Sequence, residues 1–251
     1  MKSVLIALTS FFLFVLFQRC NYVEVLSEKG AYVEIEEWVG EFTSIRVETP
    51  IHLILEQTDE QIAVISGLDF KVSNLKFTVE NSELILDAKA FALNRKDQIV
   101  TVRLPIKALN KITLNMPAQL SSANELLLDN LTLIVNGGGT YSESNLKLNC
   151  QSIYIAAFGP NSGLHLLEGR TNDLRLTMEG LSWTDATEMM ASTVTVTQRS
   201  LKSSYVHVTD QLIVKMYSSG HVYFTGQPQL DYQIYVPDWK AEFGRAISQS
   251  E

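Results

Sequence analysis

Basic residues are scarce in this chain: 20 Lys and Arg stand against 28 Asp and Glu, giving a formal charge of -8 over 251 residues. Phosphate binding needs clustered positive charge, so nucleic acid is excluded as a partner. Cysteine is scarcer still, with Cys20 and Cys150 alone. There is no CxxC pair and no Cys/His spacing for zinc, so no structural metal is expected, and at most one disulfide could form. The motifs G-x-S-x-G and H-E-x-x-H are missing. Gly137-Gly138-Gly139 runs into Thr140-Tyr141 without the lysine of a phosphate-binding loop. No catalytic set and no cofactor site is expected from these absences.

Long apolar runs are confined to the N-terminus. Lys2 precedes a predominantly apolar stretch from Val4 to Phe17 that is too short to span a bilayer comfortably. Residues 1–20 read as an export signal, which predicts a periplasmic, outer-membrane or cell-surface protein. Cys20 follows that run, where a bacterial lipoprotein carries its acylated cysteine and would be anchored in the membrane. Arg19 departs from the small residue expected before such a cysteine, so two readings stand: lipidation at Cys20, or ordinary cleavage nearby. Cys150, within Leu146-Lys147-Leu148-Asn149-Cys150, has the alternation of a buried core thiol.

Helical periodicity is nearly absent past the signal, whereas two-residue alternation rich in Val, Ile, Leu, Thr and Tyr recurs throughout. The class is all-β. Residues 21–105 predict a less regular β region with strands at Tyr32–Glu36, Ser44–Val47, His52–Glu56, Gln61–Ser66, Leu75–Glu80, Leu84–Asp87 and Ile99–Leu104. A loop or one short helical turn is expected over 88–97.

From 106 to 235 an apolar-x-apolar triplet repeats, starting at Ile112, Leu131, Ile153, Leu174, Val194 and Leu212, with intervals of 19, 22, 21, 20 and 18 residues. A second signal lies between these triplets, at Leu126–Leu128, Leu146–Leu148, Leu164–Leu166, Val206–Val208 and His221–Phe224. A period near 20 is too short for a propeller blade and suits a parallel β-helix, or β-solenoid, in which stacked coils bury one another's apolar faces. One match to a leucine-rich repeat, at Leu128–Asn136, does not recur. The solenoid needs caps. The first half would supply one, and 236–251, with Val236, Trp239 and Phe243, the other.

Several side chains invite chemistry. Glu168, Glu188 and Asp210 recur near coil spacing and would form either an acidic column or a solvated face. His165 and His207 sit alike between apolar residues and are expected to face outward together, about two coils or roughly 10 Å apart, too far to share a metal. Trp38, Trp183 and Trp239 read either as sugar platforms or as isolated caps and edges. Asn130, Asn149 and Asn172 fall near equivalent turns and are expected to form a structural ladder.

The order of three segments resembles a family of exported bacterial proteins, the auto-transporter adhesin head GIN domain common in Bacteroidetes. They are Phe42-Thr43-Ser44-Ile45-Arg46-Val47, then Val102-Arg103-Leu104-Pro105 with Leu109 and Ile112, then Ser219 through Pro228. The resemblance spans Phe42 to Ile234. It implies a β-solenoid or related fold and an envelope or surface location, frequently as a lipoprotein, and it transfers no catalytic residues. Two functions compete. One is a non-catalytic envelope protein binding a glycan or protein ligand along its coils. The other is a polysaccharide lyase or hydrolase using Glu168, Glu188 or Asp210.

Overall fold

The structure, a computed structural model, describes residues 30–88, 99–137, 141–235 and 242–249. The export signal, Cys20, the 88–97 loop beyond Ala88 and the cap residues Val236 and Trp239 lie outside them. The chain divides into two units, Met1–Tyr32 and Val33–Glu251, and the second contains nearly all the described residues.

The first half folds as β1 (Tyr32–Trp38), β2 (Ser44–Val47), β3 (Ile51–Gln57), β4 (Ile62–Leu68), one helical turn α1 (Asp69–Val72), β5 (Leu75–Glu80), β6 (Glu83–Ala88) and β7 (Val100–Ile106). Each predicted strand is present, within two residues at either end. The helical turn falls between two strands, where Asp69 accepts the Phe70 amide at 2.7 Å. The second half continues with β8 (Lys111–Leu114), β9 (Ala118–Ser122), β10 (Leu126–Val135), β11 (Glu143–Ala157), β12 (Ser162–Ser200), β13 (Ser204–Met216), β14 (Val222–Thr225), β15 (Gln229–Ile234) and β16 (Ala246–Ser248).

These strands build a solenoid of about six turns preceded by a curled sheet. Neighbouring coils pair in parallel: β2 with β8, β8 with β10, β10 with β11, β11 with the first half of β12, the second half of β12 with β13, and β13 with β15. A second wall runs through β7, β3, β9 and the start of β11, and ends in β13, β14 and β16. Among the described residues antiparallel pairing is confined to the curled region, β4 with β7 and β5 with β6.

The interior is a set of aliphatic columns. Ile45 pairs with Ile112, Ile112 with Leu133, Leu133 with Ile155, and Ile155 with Leu176; Val196 pairs with Val214 further on. All of these side chains are buried. Stacking at strand spacing turns a half-buried strand, which cannot stand alone, into a continuous core.

The register corrects one interval of the repeat. Ile112 faces Leu133 rather than Leu131. The five-residue run Leu131–Val135 has three inward members, and only the last two find partners on the short β8. Because the slip is two residues, every side chain keeps its face. The intervals from Leu131 to Ile153, Ile153 to Leu174 and Val194 to Leu212 are each a strand pair, and Leu212 pairs onward with Leu230.

Candidate binding groove

Once per coil the alternation breaks and two or more successive residues turn away from the core: Asp129 and Asn130, Gln151 and Ser152, Asn172 and Asp173, and Thr209 through Gln211. Each break bends the chain from the second wall to the first. The bends together line a groove of about 840 Å³ that crosses the coils, running past Asn110, Asn130, Asn149, Gln151, Arg170 and Asn172. Lys107 and Asp129 add one charge of each sign. Leu127 and Met190 contribute exposed apolar surface.

The groove's amides tie coils together, though not to one another as a ladder. Asn130 accepts from the Ser152 hydroxyl at 2.7 Å. Asn149, with its amide oxygen turned to Arg170, accepts from Nε at 3.1 Å and Nη2 at 3.0 Å. The reason is register: Asn130 lies opposite Ser152 and Asn149 opposite Arg170, so the asparagines fall in different columns. The result holds a guanidinium in place inside the groove. Cys150 also borders it but is buried. Burial pushes its thiol up to about 11, with the Asp129 charge adding to the effect and the Leu128 backbone opposing it. At neutral pH it is a protonated thiol and no nucleophile.

The other singled-out residues are dispersed. Glu168 lies in register with Lys147 and pairs with its ammonium at 3.1 Å. Glu188 falls in the irregular stretch between Ala186 and Met190, and Asp210 in the one between Val208 and Gln211, so no acidic column is built. His207 is half-buried, but His165 is fully buried, against the expectation that both face outward. Leu167, two residues on, takes an inward place opposite Leu146, and the period of two carries His165 in with it.

Trp183 is not isolated. It packs edge-on against Tyr205 at 6.1 Å, and Tyr205 stacks on Tyr223 at 5.0 Å. A second stack joins Tyr217 and Tyr235 at 4.5 Å, with Arg199 lying over Tyr217 at 4.1 Å. In both, Tyr faces are used up on neighbouring coils, which makes the stacks spines of the fold rather than rows of open platforms. Trp38 is exposed.

A family model described as "Putative auto-transporter adhesin, head GIN domain" matches residues 41–228. The chain belongs to this family. The head GIN fold is also that of a crystal structure of a "putative adhesin" from Bacteroides fragilis, 19% identical, with a TM-score of 0.76 over 88% of this chain and 98% of that one. A second "putative adhesin", from Parabacteroides distasonis, is 16% identical with a TM-score of 0.65, covering 88% and 98%. A "putative lipid binding protein" from the same species is 12% identical with a TM-score of 0.61, covering 87% and 98%. Among curated proteins, none matches. At these identities the similarity establishes the fold. No signal in any single segment could have revealed the groove, although the once-per-coil pair of outward residues marks where it runs.

Proposed function

We propose that this head GIN protein is a non-catalytic, exported adhesin that captures a polysaccharide along the amide-lined groove. The observation that carries the reading is the groove itself: one polar bend per coil, repeated across the coils, with Arg170 held by Asn149. Amides and a guanidinium offer donors and acceptors in the density that sugar hydroxyls require. The lining sets Leu127 and Met190 among amides and hydroxyls and, among the described residues, holds no aromatic anchor, so the groove suits a hydroxylated chain better than a protein hot spot.

The test is binding of the mature protein to a panel of polysaccharides by calorimetry, with parallel assays for new reducing ends or unsaturated products. Arg170→Ala is expected to weaken binding about tenfold, the size of one lost hydrogen bond to a charged group, with the melting temperature little changed. Turnover of any polysaccharide, lost in Glu188→Ala, would overturn the non-catalytic reading. Equal affinity in Arg170→Ala would remove the groove as the site.

Tethering is a separate part of the proposal. An acylated Cys20 would fix the protein to a membrane. Detergent phase partitioning with mass analysis of the N-terminus should place the native protein in the detergent phase with a lipid on Cys20. An unmodified N-terminus in the aqueous phase rejects the tether and leaves capture untouched.

A further inference from the structure

A second concavity, of about 480 Å³, opens on the outer face of the other wall, across β7, β3, β9, β11 and β12. Three aliphatic side chains, Ile54, Leu164 and Leu166, form its apolar part. Gln119, Asn145, Glu143 and His52 supply amide, carboxylate and imidazole groups, and Thr101 and Ser121 supply hydroxyls. Strand pairing fixes their spacing: Gln119 lies between His52 and Glu143, and Ser121 between Ile54 and Asn145, which in turn faces Leu166. The Glu143 carboxylate is held by the Tyr141 hydroxyl at 2.5 Å.

The pocket's apolar part exists because the chain is inverted here. In Leu164-His165-Leu166 the imidazole is wholly buried while both leucines face outward, half-buried. A slip of one residue would reverse this. Gly163 prevents it: a Cβ there would lie 1.8 Å from the Ser142 carbonyl oxygen, so only glycine fits at that inward place. Leu167 then fills the inward place on the other side. Inside, the imidazole meets the Ser144 hydroxyl through Nδ1 at 2.9 Å, but its Nε2 has no hydrogen-bond partner, so an aliphatic side chain would serve the core better at this place. A local violation of the inside-outside rule, maintained by its flanks, is the expected mark of a functional site.

We propose that this pocket binds a neutral sugar residue bearing a methyl group, a 6-deoxyhexose or an N-acetylhexosamine. The hydroxyls and amides match a polyol. The Glu143 carboxylate disfavours phosphate and uronate. Among the described residues the pocket's lining has no aromatic ring on which a whole pyranose face could lie, so its apolar contact is with a compact aliphatic group, and Leu164 and Leu166 receive the methyl. A free acyl chain would take water from the Gln119 and Asn145 amides without offering them a hydrogen bond.

Saturation-transfer NMR on the mature protein tests this with methyl rhamnoside, methyl fucoside, N-acetylglucosamine, glucose and glucuronate, alongside displacement of a fluorescent fatty acid. Transfer is expected to be strongest at the methyl protons. Affinity for at least one methyl sugar should exceed that for glucose about tenfold, the value of one methyl in an apolar pocket. Which of the two classes wins identifies the methyl's source. Leu166→Asn is expected to lose that tenfold while keeping the wild-type melting temperature, because its side chain faces outward. Gln119→Ala provides a second variant outside the apolar part and is expected to weaken every sugar. Equal affinity for glucose, unchanged binding in both variants, or tighter binding of the fatty acid would each overturn the assignment. None of these outcomes bears on the groove, whose polysaccharide binding is read through Arg170→Ala.

Discussion

Gly169→Ala is expected to cost about 4 kcal/mol or more, at the extreme of single-residue effects, and to leave much of the protein unfolded at 37 °C. Gly169 adopts φ of 111°, a region nearly closed to residues with a Cβ, and an added Cβ would lie 2.1 Å from the Leu148 carbonyl oxygen. That oxygen belongs to the coil stacked beside it, with Leu148 opposite Gly169 in the parallel register. Relief would require the two coils to separate where the second wall bends toward the groove, breaking the ladder and exposing Leu146 and Leu148, both now fully buried. Urea denaturation of the purified variant measures the loss. A midpoint within 0.5 M of wild type, which is about 1 kcal/mol for typical m-values, would show that the coils can part locally at little cost.

The first wall was legible in the sequence and the second much less so, for a physical reason. Along the first wall the inward side chains are Leu, Ile and Val in nearly every coil, so the apolar-x-apolar triplet survives from Leu131 to Leu212. Along the second wall several inward places are polar: Ser144, His165, Thr184 and Ser204 are all buried. There the alternation loses its contrast, and Leu164 and Leu166 mimic a core pair while facing outward. β9, as Ala-Gln-Leu-Ser-Ser, carries only two apolar residues and gave no strand signal. The groove was illegible because it exists only between coils. Lys107, Asn130 and Arg170 come from three separate bends, and register, not local sequence, brings them together.

The buried polar places have a measurable consequence in the stability of the protein below neutral pH. His165 Nδ1 lies 2.9 Å from the Ser144 hydroxyl, and burial pushes the imidazole down to about 4. Its inward-facing neighbours Ser144, Leu146 and Leu167 bring no charge to offset a proton. In the unfolded chain the same imidazole titrates near 6.5. Between those two values the unfolded state binds the proton and the native state does not, so stability falls as pH drops from about 6.5 to about 4 and is insensitive to His165 above about 7. The full loss is on the order of 3 kcal/mol. His165→Gln, which keeps a polar partner for Ser144 but cannot titrate, should remove this component. The difference in unfolding free energy between wild type and variant, followed from pH 7.5 to 4, is therefore expected to slope through the acid range and be flat above it. A flat difference throughout would mean that the buried imidazole reaches water in the native state. A slope would show that the wall carrying the outer pocket is sealed from behind, with the leucines outside and the imidazole dry within.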